Sequence, residues 1–341
     1  MSPAMITGFD GAELPDELPD TTVDAVVIGG GAAGLSGALM LVRSRRSVVV
    51  IDSGTPRNAP ADGVHGLLGA DGIPPAELLR AGRADVRRYG GRIVAGEVTS
   101  AAHGAASVAG DPRFTVTLTG DRTLHARRLL IATGLRDQLP DVPGLARHWG
   151  HSVVHCPYCH GWEVRDEPIG VLAVGPASVH HALLFRQLTE DLTYFTHDTG
   201  LDDDTRARFA ARGIRVVDTR VARIESTEDA VTGVRLCDGQ VVARRVIAVA
   251  TSMLARTDGL AALDLPMEDL PHGMGRRFVT GPAGTTAVPG VWVAGNATDL
   301  TAQVGAAGAA GALAGAHINA DLVTADTDAA LAAARRGETA A

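Results

Sequence analysis

Aromatic side chains and cysteines are scarce in this 341-residue chain. Only 4% of the residues are Phe, Trp or Tyr, and there are three cysteines. A core with so few aromatic rings must consist mainly of Val, Leu, Ile and Ala, and three cysteines cannot supply the dense disulfide framework of a small secreted domain. The length is sufficient for two domains, or for one domain inserted into another.

Concentrated positive charge and long apolar runs are also missing. The formal net charge is -8 and the basic residues form no dense run beyond short pairs such as Arg45-Arg46, which argues against nucleic-acid binding. The most apolar helical segment, residues 303–320, is rich in Ala and Gly, so we expect it to pack against protein and not to span a membrane. The N-terminus shows neither the basic nor the apolar region of a signal peptide, from which we expect a cytoplasmic protein with reduced thiols.

A glycine-rich turn follows the first apolar strand, Val23 to Ile28. The sequence of residues 29–34, GGGAAG, matches G-x-G-x-x-G, and a second strand ends at Asp52. In such a unit the first glycine makes a tight turn, the second admits a pyrophosphate and the third lets the helix pack closely, while the acid accepts hydrogen bonds from a ribose. This order predicts a dinucleotide site formed by Gly29, Gly31, Ala32, Ala33, Gly34, Asp52 and Ser53.

A second strand-turn-helix pattern begins at Ile169, but its fingerprint is broken. Only Gly175 remains of the three glycines, since Ala177 and His180 occupy the other two positions and Pro176 cannot donate an N–H. The next strand is followed by His197-Asp198 and by no arginine that could hold the 2′-phosphate of NADPH. We therefore expect a second Rossmann-type unit that does not use NADPH.

The octapeptide His155 to Trp162, HCPYCHGW, lies near the middle of the chain. Two cysteines separated by two residues can close a disulfide without distorting the backbone, so Cys156 and Cys159 are a candidate redox couple. Pro157 suits the first turn of a helix, where backbone N–H groups would lower the pKa of Cys156 and make it the attacking thiolate. His155 and His160 supply groups that exchange protons near neutral pH.

The same motif also fits other kinds of site. C-x-x-C-H is the attachment pattern of c-type haem, and the flanking histidines could complete half of a zinc site, although no second Cys-x-x-Cys is present. C-P-Y-C occurs in glutaredoxins, but Gly161 and Pro168 would cut short the long helix of that fold. Two buried thiols without a role are the remaining alternative. Cys237 is expected to be a core residue, and His65 is a second candidate site residue.

A third glycine-rich turn occurs near the end of the chain. A strand ending in Ala294-Gly295-Asn296 is followed by Asp299 and by a helix from about Gln303. That helix contains glycines at 305, 308, 311 and 315, which reduce helix propensity. A close approach to a flat cofactor or to the sheet would explain them.

Together these motifs resemble the low-molecular-weight thioredoxin reductase family over about residues 23–323. The resemblance rests on the first fingerprint with Asp52, on Ala132-Thr133-Gly134, on the central cysteine pair, and on Ala294 to Asp299 followed by Gln303-Val304. It implies a flavoprotein, usually a homodimer, whose FAD domain is formed by both ends of the chain. It also implies FAD contacts at Val98, Ala132, Thr133, Gly134, Gly295, Asn296, Gln303 and Val304.

The expected fold class is α/β, with two Rossmann-like (three-layer ββα) nucleotide-binding domains of which the second is inserted into the first. The expected segments are a flexible arm at 1–22, an FAD domain at 23–140 and 276–323, a central domain at 141–275, and a frayed tail at 324–341.

Three departures from the reductase pattern resemble its dithiol-oxidase branch, which closes the disulfides of natural products such as gliotoxin and holomycin. His160 replaces an aspartate, Asn296 replaces the aspartate of a Gly-Asp pair, and the nicotinamide fingerprint is lost. This resemblance implies that Cys159 faces the flavin, that Cys156 exchanges with a small-molecule dithiol, that His160 moves protons, and that O2 accepts the electrons. No metal is implied. A disulfide reductase supplied by NAD(P)H, ferredoxin or flavodoxin, and a flavin-containing redox sensor, stay open as alternatives.

Overall fold

The structure, a computed structural model, describes residues 16–104, 111, 113–228 and 230–337. The strands within these ranges are β1 (Val23–Ile28), β2 (Val48–Asp52), β3 (Arg92–Ala95), β4 (Val98–His103), β5 (Phe114–Leu118), β6 (Arg122–Ile131), β7 (Leu135–Gln138), β8 (Val153–Val154), β9 (Ile169–Leu172), β10 (Leu192–Phe195), β11 (Arg215–Val217), β12 (Val221–Ser226), β13 (Val231–Leu236), β14 (Val241–Ala243), β15 (Val246–Val249), β16 (Ser252–Ala255), β17 (Met267–Leu270), β18 (Gly275–Phe278) and β19 (Val291–Val293). The α-helices are α1 (Ala32–Arg43), α2 (Pro75–Arg88), α3 (Pro157–His160), α4 (Ala177–Phe185), α5 (Asp203–Ala211) and α6 (Val304–Arg335).

The first unit is built on a seven-stranded sheet in the order β3-β2-β1-β6-β5-β4, with β19 also paired to β6. Its longest strand, β6, takes part in two arrangements. Residues 122–126 pair antiparallel with β5, and residues 126–131 pair parallel with β1. One strand therefore joins a parallel Rossmann-like sheet to an antiparallel meander.

Alternation along β1 separates the two cores of this unit. Val26 and Ile28 point to the side of the meander, where they pack with Phe114, whereas Ala25 and Val27 point to helices α1 and α6. Because successive side chains of a strand face opposite sides, one apolar run can fill both cores. The result is the three-layer arrangement of meander, parallel sheet and helices that the sequence predicted.

The glycines of α6 allow this helix to pack closely against α1. A Cβ atom on Gly311 would lie 1.9 Å from the backbone oxygen of Ala33, and one on Gly315 would lie 2.4 Å from that of Gly37. Only glycine leaves room for such an approach. The expected explanation, proximity to a cofactor or to the sheet, was therefore wrong for these two positions, since the partner is another helix.

The second unit repeats the same layers between the two halves of the first. Its parallel sheet has the order β11-β10-β9-β15-β8, and β12, β13 and β14 form a separate antiparallel sheet. One face of the parallel sheet packs on that meander, and the other packs on α4 and α5 through Phe185 and Phe209. The fold class predicted from the sequence is thus confirmed. The apolar run from Val241 to Val249 forms two strands, β14 and β15, which belong to two different sheets.

Two connecting strands carry the chain into the second unit and back. β7 pairs antiparallel with β16, and β16 pairs with β18, which in turn pairs with β17. Residues 266–275, whose two prolines and two glycines are typical of a linker, therefore include paired strands. Leu260 and Leu263 pack in the core of the first unit. We accordingly propose that the first unit resumes near residue 252, earlier than the expected boundary at 276.

Both ends of the described chain are held more firmly than expected. Residues 1–15 of the predicted arm lie outside the described residues, but Asp16 pairs with Ile93 through its backbone N–H (2.8 Å to the carbonyl oxygen) and its carboxylate (2.7 Å from the amide). At the other end α6 continues to Arg335 instead of fraying after residue 323, because Asp326 forms ion pairs with Arg46 and Arg127, each at 2.7 Å. Among the described helices, even the 32-residue α6 lacks the combination of length and apolar character that crossing a bilayer requires.

Candidate active site

The first glycine turn leads from β1 into α1 with little space to spare. Gly29 has a φ of +110°, and a Cβ there would lie 2.3 Å from the carbonyl oxygen of Ala132. A Cβ on Gly34 would lie 1.8 Å from the oxygen of Gly29, so this glycine permits the close packing of helix and strand. Gly31 differs from both, because a Cβ there would meet no atom within 4 Å. The space beside Gly31 is open to a ligand.

Asp52 ends β2 directly beside this turn. Its side chain is almost buried, with the residue 9% exposed, and its Oδ1 accepts a hydrogen bond from the Gly54 amide at 3.2 Å. A Cβ on Gly30 would lie 2.5 Å from Asp52 Oδ2, which shows how tightly the loop covers the carboxylate. The neighbouring Ser53 shares a hydrogen bond with Thr55 at 3.0 Å. The carboxylate is thus fixed at the end of the strand, where a ribose would be recognised.

The C-terminal motif forms the opposite side of the same region. Asn296 donates hydrogen bonds from Nδ2 to the carbonyl oxygens of Asp299 (3.0 Å) and Ala302 (2.8 Å), which fixes the loop before α6. Gln303 is the N-cap of that helix and Val304 its first residue. Gly295 is buried with a φ of +73°, and a Cβ there would lie 2.7 Å from that of Ala33. Its role is packing against α1.

One cleft of about 480 Å³ brings these elements together with the cysteines. Of the residues predicted to bind the cofactor or act in catalysis, all but Gly34 and Gly295 line it. The lining members are Gly29, Gly31, Ala32, Ala33, Asp52, Ser53, Val98, Ala132, Thr133, Gly134, His155, Cys156, Cys159, His160, Asn296, Gln303 and Val304. Residues separated by nearly 300 positions in the sequence thus surround a single space.

The cysteine pair is presented by the short helix α3. Cys156 is its N-cap and Pro157 its first residue, as the sequence predicted. Both cysteines are half-buried free thiols in this structure, and the Cys159 thiol donates to Cys156 with 2.6 Å between the sulfur atoms. The two sulfurs are close enough to form a disulfide bond with each other, and such a bond can exchange with a substrate thiol.

The two thiols differ in acidity. The pKa of Cys156 is lowered to about 6, first by the hydrogen bond from Cys159, then by the backbone amides of Tyr158 and Cys159 and by the positive charge of Arg57, against the opposing effect of burial. The pKa of Cys159 is raised by its role as donor to Cys156 and by burial. Since the thiolate is the nucleophile and the better leaving group, Cys156 is the sulfur suited to exchange with a substrate.

His155 is anchored on the side of the second unit. Its Nδ1 lies 3.1 Å from the carbonyl oxygen of Val249 and 3.3 Å from the amide of Thr251, and its own carbonyl accepts a hydrogen bond from His181 Nε2. Burial, followed by the charge of Arg57, lowers the pKa of His155. In the neutral ring Nδ1 donates to Val249 or accepts from Thr251 according to its tautomer, and either bond, together with the bond from His181, orients the start of α3.

His160 is half-buried at the other end of α3, and its Nε2 atom is fully buried. Its Nε2 has no hydrogen-bond partner among the described residues, and burial lowers its pKa, so the ring is neutral near pH 7. A neutral imidazole that lines the cleft beside Cys159 can accept a proton from a thiol. His65, the second candidate, does not line the cleft; it lies 3.4 Å from Glu163 and 3.7 Å from Asp71, and so connects its loop to the residues after α3.

Sequence reasoning missed several residues of the cleft and misplaced one cysteine. Arg57, Asp137 and Arg256 line the cleft, but single charged residues in loops and linkers carry no local pattern that could identify them. Pro56-Arg57-Asn58, just beyond Asp52, was the nearest signal. Cys237 is exposed at the turn after β13 and is not the core residue that was expected.

The position of the second fingerprint is occupied by protein contacts. Pro176 is the N-cap of α4, and Ser178 Oγ accepts a hydrogen bond from the Val174 amide at 3.0 Å. His181, on the same helix, is committed to the carbonyl of His155. Asp198 forms an exposed ion pair with Arg220 at 3.1 Å. The polar groups at this position thus form contacts within the protein, where a nucleotide fingerprint would contact its ligand.

The residues of the cleft fit FAD. Gly31 leaves open the space that any side chain would fill, and the helices α1 and α6 both begin at the cleft without a side-chain cap on their first-turn amides. Uncapped helix N-termini attract phosphate groups, and Asp52 offers acceptors for a ribose. Among the described residues, no cluster of three or more His, Cys, Asp or Glu side chains is placed to hold a metal ion.

Comparison with known proteins agrees with this arrangement. Residues 23–312 match the family of pyridine nucleotide-disulphide oxidoreductases. The chain is 34% identical over 290 residues to thioredoxin reductase tcpT of Claviceps purpurea (80% of this chain, 86% of that protein) and 32% identical over 320 residues to thioredoxin reductase sirT of Leptosphaeria maculans (89% and 95%). The crystal structure of HlmI superposes with a TM-score of 0.87 at 42% identity and covers 94% of this chain and 99% of that one.

These similarities confirm the resemblance to thioredoxin reductases that the motifs indicated. The chain belongs to the pyridine nucleotide-disulphide oxidoreductases and is a flavin-dependent oxidoreductase with a thioredoxin reductase-like fold.

Proposed function

We propose that this protein is an FAD-dependent dithiol oxidase, which converts a small-molecule dithiol of natural-product biosynthesis into its intramolecular disulfide and reduces O2 to hydrogen peroxide. One observation carries the proposal. Cys156 and Cys159 line the same cleft as the predicted FAD contacts, whereas the position of a nicotinamide fingerprint is taken by Pro176, Ser178 and His181. Electrons can therefore reach the site from a thiol without a nicotinamide.

The residues assigned to FAD are the first fingerprint with Asp52, the strand ends at Val98 and at 132–134, and Asn296, Gln303 and Val304 at the start of α6. When bound, FAD supplies an acceptor for two electrons and passes them to O2. The protein's own part is to hold the isoalloxazine and the cysteine pair in one cleft.

The proposed thiol exchange has two steps, and the different acidities of the two cysteines favour the second, in which Cys156 leaves. In the oxidised protein a substrate thiolate attacks Cys156 Sγ, the Cys156–Cys159 bond breaks, and Cys159 leaves as a thiolate that takes up a proton. The second substrate thiol then attacks the substrate sulfur of the mixed disulfide and releases Cys156, whose lowered pKa makes it a good leaving group. The products are the cyclised disulfide and a reduced pair, so two electrons and two protons have moved to the protein.

His160 is the proton acceptor that we assign to these steps. It is neutral near pH 7 because burial lowers its pKa, and its Nε2 has no partner among the described residues. His155 acts on the orientation of α3, since both its ring and its carbonyl are held by hydrogen bonds. A homodimeric state and a cytoplasmic location remain predictions.

A disulfide reductase is the second candidate, and the names of the curated relatives tcpT and sirT favour it. Oxygen consumption distinguishes the two functions. The oxidase proposal predicts uptake of one O2 and release of one peroxide for each disulfide formed from a dithiol, with no nicotinamide present. NADPH- or NADH-driven reduction of a disulfide, without oxygen uptake from dithiols, would establish the reductase instead.

A further inference from the structure

An ion pair joins the loop after β2 to the first connecting strand. Arg57 Nε and Nη2 donate to the two carboxylate oxygens of Asp137 at 2.6 and 2.7 Å. The Asp137 side chain is 4% exposed and that of Arg57 30% exposed. A two-pronged pair of this kind fixes the plane of the guanidinium as well as its position.

The same carboxylate connects this loop to the cysteine helix. Asp137 Oδ1 also accepts from Thr251 Oγ1 at 2.6 Å, and the Thr251 amide lies 3.3 Å from His155 Nδ1. His155 directly precedes Cys156. A continuous series of contacts thus runs from Arg57 through Asp137, Thr251 and His155 to the N-cap of α3. Asp137 lies on the first connecting strand, β7, and Thr251 directly precedes the second, β16.

The guanidinium also acts on the cleft through its charge. Arg57, Cys156 and Cys159 line one cleft. The positive charge of Arg57 adds to the Cys159 hydrogen bond and the backbone amides in lowering the pKa of Cys156, and it opposes the rise in the pKa of Cys159. It also acts in the same direction as burial on the pKa of His155. The hydrogen bond and charge of Arg57 keep the pKa of Asp137 below its usual value although burial opposes this. The ionisable groups facing Cys156 are therefore Cys159 and Arg57, with His155, Asp137 and His160 around them.

We propose that Arg57 is a positioning residue of the thiol pair: held by Asp137, it keeps one positive charge in the cleft that favours Cys156 as a thiolate, while Asp137 and Thr251 fix the helix that presents it. This role rests on the proposed thiol exchange at Cys156 but concerns the reduced protein itself. It can therefore be measured without turnover, so its failure is distinguishable from a failure of the proposed reaction.

The alternative is an ion pair that only holds the two units together. Three variants of the full-length holoprotein separate the roles, namely Arg57→Gln, Arg57→Lys and Asp137→Asn. Asparagine at 137 can keep Oδ1 as the acceptor for Arg57 Nη2 and Thr251 Oγ1, but it removes the negative charge and the second acceptor, which faces Arg57 Nε. Arg206→Gln is the matched control, because Arg206 forms a similar two-pronged pair with Asp218 (2.7 and 3.1 Å) on α5, outside the cleft.

The measurement is the rate of Cys156 alkylation by iodoacetamide in the reduced protein as a function of pH, with the modified residue assigned by mass spectrometry. Arg57→Gln should raise the apparent pKa of Cys156, so that alkylation below pH 6 slows about threefold. Arg57→Lys should keep most of the wild-type profile. Asp137→Asn should leave the apparent pKa unchanged or lower it, and Arg206→Gln should match the wild type.

A purely structural pair predicts a different pattern. Arg57→Gln and Asp137→Asn would then lower the melting temperature together and shift the alkylation profile equally or not at all, and either result overturns the proposal. If Arg57→Gln does not fold, Asp137→Asn and Arg57→Lys still distinguish the positioning role from a purely structural ion pair. A rise in the apparent pKa of Cys156 in either Asp137→Asn or Arg57→Lys, both of which keep a positive charge at position 57, contradicts the role assigned to Arg57.

Discussion

The Cys159 thiol donates a hydrogen bond to the Cys156 sulfur, with 2.6 Å between the two Sγ atoms. This contact makes the two cysteines chemically unequal, because the acceptor is stabilised as a thiolate and the donor is held as a thiol. Backbone amides at the start of α3 and the charge of Arg57 act in the same direction on Cys156. Substitution of Cys156 should therefore have a different chemical consequence from substitution of Cys159.

Cys159→Ser should trap Cys156 as a mixed disulfide. With a small aromatic disulfide such as 5,5′-dithiobis(2-nitrobenzoate), this variant should release one equivalent of thiolate and retain the second on Cys156. The wild type should release both, because Cys159 resolves the intermediate. Cys156→Ser should react more slowly at pH 7, since burial raises the pKa of the remaining thiol. Faster capture in Cys156→Ser would reverse the assignment of the attacking sulfur.

The stability of the reduced protein should depend on pH in a defined window. The pKa of Cys156 is about 6 in the folded protein, against about 8.5 for an unperturbed thiol. A group whose folded pKa is lowered stabilises the protein above the unfolded pKa, and this contribution is lost as the pH falls through 6. The free energy of unfolding of the reduced form, minus that of the oxidised form, should therefore rise between pH 6 and 8.5 by on the order of 2 kcal/mol.

Urea titrations of both redox states at several pH values measure this difference. Reduced Cys156→Ser is the control, and its unfolding free energy should lack the added slope. A flat difference across the window would show that Cys156 is not a stabilised thiolate. A reduced form stabilised in this way also makes the disulfide a stronger oxidant, as an enzyme that oxidises dithiols requires.

His160→Asn should slow turnover without changing the reactivity of Cys156. Burial lowers the pKa of His160, so the neutral ring is the form present at pH 7. Loss of a general base reduces kcat by about 10²-fold, and His160→Asp should recover part of it. Stopped-flow reduction by a dithiol and iodoacetamide kinetics give the two readouts. The control is His125→Asn, since His125 lies on β6 outside the cleft. An equal loss of turnover in His125→Asn and His160→Asn would contradict the role of His160 as proton acceptor.

Gly31→Val should impair flavin binding, whereas Gly34→Ala should impair the stability of the protein. A Cβ on Gly31 meets no protein atom within 4 Å, so the valine variant should fold and lose flavin, because its side chain projects into the open space. A Cβ on Gly34 would lie 1.8 Å from the oxygen of Gly29, so that variant should lose stability itself. The ratio of flavin to protein absorbance and the melting temperature of the flavin-free protein distinguish them. Full flavin content in Gly31→Val would place the pyrophosphate elsewhere.

The elements that the sequence could predict are those with a local signal. The buried run from Val23 to Ile28, the glycine spacing after it and Asp52 at the next strand end all reflect constraints within about 30 residues. The helix at Pro157 and the hairpin at Asp238-Gly239 likewise follow from the preferences of single residues, and the structure contains both.

The features that escaped prediction depend on partners far apart in the chain. Arg57 and Asp137 are 80 positions apart, and Thr251 is a further 114 from Asp137. None of the three belongs to a motif that the sequence alone would single out, and only the fold brings them together. The glycines of α6 show the same limit, because their spacing indicates a close approach but not that α1 is the partner. Asp326 extends that helix through arginines on β6 and before β2, which no property of the tail itself could indicate.

An anaerobic spectral titration of the purified holoprotein tests the central claim most directly. The account predicts that a small dithiol alone bleaches the flavin absorbance, that hydrogen peroxide appears when air is readmitted, and that neither NADPH nor NADH has a comparable effect. Cys159→Ser should retain the flavin and resist bleaching by the dithiol. Rapid bleaching by NADPH or NADH, or a purified protein without flavin, would contradict the account.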